Sequence, residues 1–252
     1  MIPVLNEAHV LAKSVATVRE FCGANLPHDW RIVIVDNGSI DGTQDVARGL
    51  SEQHADVAFY TLTERGRGRA LRYAWTRSTA EVCCYMDVDL STELAALPRI
   101  VSAILNDGCD VATGSRLQKG KSKVTRSKRR YYISRIYNII VRRSLGTHFS
   151  DAQCGFKAVS RRFVERVIPQ VKDDSWFFDT ELLVLAEKQG YRIGDIPVRW
   201  IEDDDSRVKI AKTAWDDLKG IGRLRVLLWR WALGFGPPRR LASEADAAPA
   251  GR

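Results

Sequence analysis

No apolar run in this 252-residue chain approaches the roughly 18–20 residues that a membrane-crossing helix needs. Its five cysteines, Cys22, Cys83, Cys84, Cys109 and Cys154, show no metal-ligand spacing, and Cys83 and Cys84 are adjacent inside an apolar run, as buried thiols are. An odd count without a secretory leader predicts a reducing compartment, hence the cytoplasm or the cytosolic face of a membrane. The four histidines are scattered and suggest no site. Internal repeats are absent. Acidic residues are missing altogether between Asp110 and Asp151.

That last gap locates the charge. It holds eleven basic residues: Arg116, Lys119, Lys121, Lys123, Arg126, Lys128, Arg129, Arg130, Arg135, Arg142 and Arg143. Taking these eleven from the net charge of +8 leaves −3 for the rest of the chain. The positive charge is therefore local, and it implies an anionic partner such as a phosphate, a lipid headgroup surface or a nucleic acid.

Short apolar runs alternate with helical patterns, which predicts an α/β fold with a largely parallel sheet and flanking helices. Strands are expected at Ile32–Val35, Val57–Leu62, Val82–Met86 and Asp110–Thr113, with helices near 7–21, 41–53, 67–78, 93–106 and 179–189. Met1-Ile2-Pro3-Val4 is a stub beside the usual five or six residues of a strand. Either a very short strand suffices, or the true start lies upstream of Met1. A catalytic domain is expected over 1–206, a basic amphipathic helical segment over 207–236, and a disordered Ala/Pro-rich tail over 237–252.

Asp87 and Asp89 stand one residue apart at the carboxyl end of a buried strand, where open parallel sheets bind ligands. Two such carboxylates repel, and a divalent cation bridging them to a diphosphate removes that cost. A bare Asp-x-Asp is also what a solvated strand end looks like, so the surrounding motifs decide. Arg65-Gly66-Arg67-Gly68 lacks the third glycine of a dinucleotide fingerprint, which disfavours a nicotinamide site. It reads equally as a turn bringing N–H groups and arginines to a diphosphate, or as a plain helix start.

The ordered set Ile2-Pro3-Val4-Leu5-Asn6-Glu7, Val35–Thr43, Arg65–Leu71, Asp87-Val88-Asp89 and Gly114-Ser115-Arg116 resembles family 2 of the glycosyltransferases, which have the GT-A fold. Within it the likeness is to the dolichyl-phosphate (polyprenyl-phosphate) glucosyltransferases and mannosyltransferases. Asp87–Thr92, Asp151–Lys157 and Phe178–Leu183 look more like the glucosyl branch. The resemblance covers about residues 1–235. It implies that Pro3, Leu5 and Glu7 line base and ribose, and that Val35 and Asn37 contact the base, Asn37 replacing a common Asp. It further implies that Asp87, Val88 and Asp89 hold the diphosphate through Mg²⁺ or Mn²⁺, and that Arg116 and Arg207 bind phosphate. Asp87, Asp89 and Arg116 are then the catalytic set.

The implied reaction moves glucose from UDP-glucose, or alternatively mannose from GDP-mannose, to a polyprenyl phosphate. A phosphate monoester has a second pKa near 6, so the acceptor needs its charge neutralised more than a proton removed. Arg129, Arg130 and Arg135 are candidates for that task, and Asp151 is expected to orient the Gln153–Lys157 turn rather than act as a base. Tyr131, Tyr132, Ile133, Ile136, Tyr137, Ile139, Ile140 and Val141 alternate with arginines, as in an interfacial helix, and Trp215, Trp229 and Trp231 offer a second anchor. No RNA- or DNA-binding motif frames the basic stretch, so no nucleic acid is expected.

Overall fold

The computed structural model describes residues 1–118, 120–125, 127–201, 210–235 and 237. The expected α/β architecture is the one observed. The strands β1 (Ile2–Val4), β2 (Ile32–Asp36), β3 (Val57–Thr61) and β4 (Val82–Met86) alternate with helices α1 (Ala8–Asn25), α2 (Thr43–Gln53) and α3 (Arg67–Arg77). A 3₁₀ turn at Leu94–Ala96 then leads into α4 (Leu97–Leu105), whose first turn carries Pro98. Next come β5 (Val111–Ser115), β6 (Lys123–Thr125), α5 (Lys128–Leu145), β7 (Phe156–Ser160), α6 (Arg161–Arg166), α7 (Phe178–Lys188), β8 (Ile193–Pro197), β9 (Arg199–Ile201) and α8 (Ile210–Arg230).

β1, β2 and β3 pair in parallel, while β7 runs antiparallel between β4 and β5, and β8 closes the far edge parallel to β5. Met1 joins the two groups. Its ammonium donates to the Cys84 carbonyl at 2.8 Å, and the Met86 N–H donates to the Met1 carbonyl at 3.1 Å. The sheet therefore reads β3-β2-β1-β4-β7-β5-β8, with the three-residue β1 between β2 and β4.

Alternation along the strands divides the core into two layers. Leu11, Ile34, Met86, Ile100 and Ala158 pack with α1, α2 and α4. Tyr85, Trp75, Val159, Phe163 and Leu182 pack with α3, α6 and α7 on the other face. α5 and α8 join this second layer through Val141, Leu145, Ile221 and Leu224. Four strands are not separable from sequence: β6 and β9 are three-residue pieces that pair with each other, β7 begins in the Cys154–Lys157 motif, and β8 follows α7 without a long apolar run.

Candidate active site

The cleft is built where β1, β2 and β4 end. Asp36, wholly buried at the end of β2, accepts from the Gly38 and Ser39 N–H groups, the Gln44 amide and the Thr61 hydroxyl. This folds the chain back at Gly38, whose φ of +81° suits glycine. The loop is then cross-braced to the one after β1. The Asn6 N–H donates to Ser39 Oγ at 2.8 Å, the Ile40 N–H to Asn6 Oδ1 at 2.9 Å, and the Glu7 N–H to Thr43 Oγ1 at 2.8 Å. Asn6 thus holds the two loops together. Pro3, Leu5, Glu7, Asn37 and Val88 all line the resulting cleft of about 680 Å³, a volume within the roughly 300–1,000 Å³ of small-molecule sites.

Two of the expected base contacts behave differently. Asn37 is buried, and its Oδ1 has no hydrogen-bond partner among the described residues. Val35 departs from expectation: its side chain packs against Ala70 and Ala74, away from the cleft lining. The pleat explains this, because Val35 faces α3 while Ile34 faces the opposite layer.

Asp87 and Asp89 both line the cleft, with Asp89 exposed and its Oδ1 accepting from the Ser91 N–H at 2.9 Å. Arg67 donates to Asp87 Oδ1 at 2.7 Å, lies 3.6 Å from Asp179, and stacks on Tyr85 and Trp176. Asp179 in turn takes the Lys157 ammonium at 3.1 Å and the Tyr85 hydroxyl. Asp87 is open toward the cleft and crowded by protein on its other sides. Desolvation holds its carboxyl above the ordinary range; Arg67 offsets this only in part, and the charges of Asp89 and Asp179 add to it. Of the arginines in the Arg65–Arg69 turn only Arg67 reaches the cleft, and Arg69 goes to Asp174 at 2.9 Å.

Gly155 lies directly against Asp87. A Cβ there would occupy the position of the Asp87 carboxylate and press on the Arg67 guanidinium. Gly155→Ala is therefore expected to displace Asp87 and lower turnover by about 10²-fold, in line with the cost of a 1 Å misplacement. Overpacking adds a destabilisation of about 1–3 kcal/mol. A steady-state kcat within twofold of the wild type would show that the turn gives way instead.

Arg116 is clamped by Asp151, which accepts from Nε at 2.7 Å, Nη2 at 3.0 Å and the Arg116 N–H at 3.1 Å. Burial alone would pull the Arg116 guanidinium down, but Asp151 more than compensates and leaves it above its ordinary value. Burial pushes the Asp151 carboxyl up, yet Arg116 holds it below the usual carboxylate range. Asp151 is thus a poor base and accepts from the Gln153 N–H at 3.3 Å, as expected for an orienting residue. Trp200 stacks on Arg116 across the cleft wall. Arg130, Ile133 and Ser134 at the start of α5 close the rim; Arg129 and Arg135 are not part of that lining, and Arg135 donates to the Tyr131 hydroxyl at 2.6 Å. Arg207 lies outside the described residues.

The donor chemistry suits a hard divalent cation. Asp87 and Asp89 face a cleft that Glu7 and Asp179 also line, Arg67 offsets only part of what burial and the neighbouring carboxylates do to Asp87, and the oxygen-only set matches Mg²⁺ or Mn²⁺ held by few protein ligands plus a phosphate. Neither Arg67, Lys157 nor Asp179 stood out in the sequence as a site residue. The signal lay in three ionisable residues within motifs that flank buried apolar runs.

Comparison with known proteins follows this geometry. The chain is 33% identical over 239 residues to glycosyltransferase AglD of Haloferax volcanii, covering 94% of this chain and 37% of that protein. It is 27% identical over 247 residues to the dolichyl-phosphate beta-glucosyltransferase of Dictyostelium discoideum, covering 93% and 75%. Glucosyl-3-phosphoglycerate synthase from Mycobacterium tuberculosis, solved with UDP, superposes with a TM-score of 0.62 at 17% identity over 94% of this chain and 79% of that one. A mannosyltransferase from Pyrobaculum calidifontis, solved with GDP-Man and Mn²⁺, gives 0.55 at 22% identity over 84% and 58%. The two structures share the GT-A-type fold. The model of Glycosyl transferase family 2 matches residues 1–168, the span that contains Asn37, Arg67, Asp87, Asp89 and Arg116. The chain belongs to glycosyl transferase family 2.

Proposed function

We propose that this chain is an inverting, metal-dependent hexosyltransferase that moves glucose from UDP-glucose to a polyprenyl phosphate at a membrane surface. The observation that carries the reading is a pair of carboxylates, Asp87 and Asp89, facing a cleft that the arginines Arg67, Arg116 and Arg130 also line. Asn37 Oδ1 is the acceptor for a base N–H, and Glu7 lines the ribose end of the same cleft. Asp87 and Asp89 would hold Mg²⁺ or Mn²⁺, which would supply charge neutralisation for the departing diphosphate. Arg116, fixed by Asp151, presents a positioned guanidinium to phosphate.

The acceptor is already largely ionised at neutral pH, so its oxygen attacks the anomeric carbon without a strong base. The pairing of Asp151 with Arg116 agrees with that economy. One displacement inverts the centre, giving a β-linked sugar from an α-linked donor. The dolichyl-phosphate glucosyltransferases among the relatives support the choice of sugar and acceptor.

No described helix is long and apolar enough to cross a membrane. α5 nevertheless exposes Tyr132, Ile136, Ile139 and Ile140, and α8 exposes Trp215, Leu218, Val226 and Trp229. The two helices touch, and α5 starts at the cleft rim. Apolar faces interleaved with arginine suit a headgroup boundary, and the free thiols agree with its cytosolic side. Ile136→Glu with Trp229→Glu is expected to weaken co-sedimentation with vesicles of anionic lipid by about tenfold or more, at about 1 kcal/mol per surface charge plus lost apolar burial. Unchanged sedimentation would remove the membrane from the reading.

The function itself is tested by a donor screen against polyprenyl phosphate in a membrane lipid extract, following formation of a sugar-phosphate lipid. Turnover with UDP-glucose is expected. Turnover with GDP-mannose alone would replace the sugar, and release of pyrophosphate would replace the reaction class.

A further inference from the structure

α8 lies beyond the span matched by the family model, yet it grips both segments that build the catalytic network. Gly220 packs on the Phe177 ring so closely that a Cβ would collide with it. Arg223 donates to both oxygens of the buried Glu181, at 2.6 and 2.8 Å, and Glu181 accepts from the Asp173 N–H at 2.8 Å. Asp217 Oδ2 accepts from the Gln153 side-chain amide at 3.0 Å. Gln153 lines the cleft, and two residues on is Gly155, against which Asp87 rests.

Asp217 is 4% exposed, and its Oδ1 has no partner among the described residues. A buried carboxylate with half its acceptor capacity idle weakens the packing of α8, where an apolar residue would cost nothing. Among the described residues the groups that act on it are Gln153, Asp173, Asp216 of the same helix and Tyr137 of α5, and none of these is a cation. Its bond to Gln153 is therefore the feature that its presence serves.

We propose that Asp217 is a positioning residue for the active site: through Gln153 it holds the Ala152–Gly155 turn against Asp87, so that α8 is a working part of the catalytic unit. Gln153 is then held twice, by Asp151 at its N–H and by Asp217 at its amide. The inference rests on the metal-binding role given to Asp87 above. An ionised Asp217 accepts a charge-assisted hydrogen bond, roughly twice as strong as a neutral one. Burial, with Asp173 and Asp216, pushes its carboxyl up to about 7 against the pull of Gln153, so the grip slackens as pH falls through neutrality.

The test measures Mn²⁺ affinity in the presence of UDP, or of GDP, by electron paramagnetic resonance on the full chain. At about pH 8, Asp217→Ala and Gln153→Ala are each expected to bind Mn²⁺ about tenfold more weakly than the wild type, a modest share of what misplacing a site group costs. Asp217→Asn keeps the shape and a weaker acceptor. It should fall between wild type and Asp217→Ala at about pH 8, and coincide with the wild type at about pH 5.5, where the native carboxyl is protonated. Should the alanine variants lose their circular dichroism, this pairwise comparison decides alone. Equal affinity of wild type and Asp217→Asn at both pH values would overturn the inference and leave the proposed function standing. A wild type that binds no Mn²⁺ would overturn both.

Discussion

Asp89→Ala is expected to lower kcat by at least about 10²–10³-fold, the scale on which single charge-stabilising groups act. The argument begins with its exposure. Asp89 faces solvent and makes one described hydrogen bond, to the Ser91 N–H, so its removal leaves no buried group stranded. Surface changes of this kind stay within about 0.5 kcal/mol of the parent stability. Loss of turnover therefore reports chemistry rather than unfolding. Asp87 gives a less clean experiment, because its alanine variant takes the nearer of two carboxylates from Arg67, which is packed between Tyr85 and Trp176 with no partner for its Nε among the described residues. A metal titration should accompany the kinetics: added Mn²⁺ restores part of the lost rate if Asp89 acts as a ligand. Full activity of Asp89→Ala at limiting metal would sink the assigned role.

The second large effect is on stability. Asp179 is 1% exposed and is the shared anion of Lys157, Arg67 and the Tyr85 hydroxyl. Lys157 is wholly buried, and its other partners are the Cys154 and Ala152 carbonyls, at 2.6 and 3.4 Å. Asp179→Ala leaves that ammonium without a counter-ion, and breaking a buried pair from one side costs about 3–5 kcal/mol. At roughly 2–4 °C per kcal/mol for a chain of this size, the midpoint of thermal unfolding should fall by about 6–20 °C. The double variant Asp179→Leu with Lys157→Met removes both charges and should recover much of the loss, since apolar replacement of a buried pair is often neutral. A single variant that melts with the wild type would mean the pair contributes nothing net.

The strands at 32–36, 57–61, 82–86 and 111–115 were legible because each is a short apolar run closed by a turn or a charge. β7 was not, since its first residues lie inside the Cys154–Lys157 motif and its antiparallel place between β4 and β5 is a matter of partners far away in sequence. The cleft residues Pro3, Leu5, Glu7, Asn37, Val88 and Arg116 were readable from ordered motifs. Val35 falls outside the cleft lining, because a strand's motif does not say which face each residue takes.

Residue types and order alone determined the α/β class, the position of the paired carboxylates at a strand end, and the concentration of positive charge between 110 and 151. These are local properties, set by alternation, strand ends and composition. Which donor meets which carboxylate was decided only by the tertiary structure. Arg67 reaches Asp87 across 20 positions, Arg116 reaches Asp151 across 35, and Gln153 reaches Asp217 across 64. Burial makes those pairings consequential: a charge removed from water must find a partner, and only the folded chain brings one within reach.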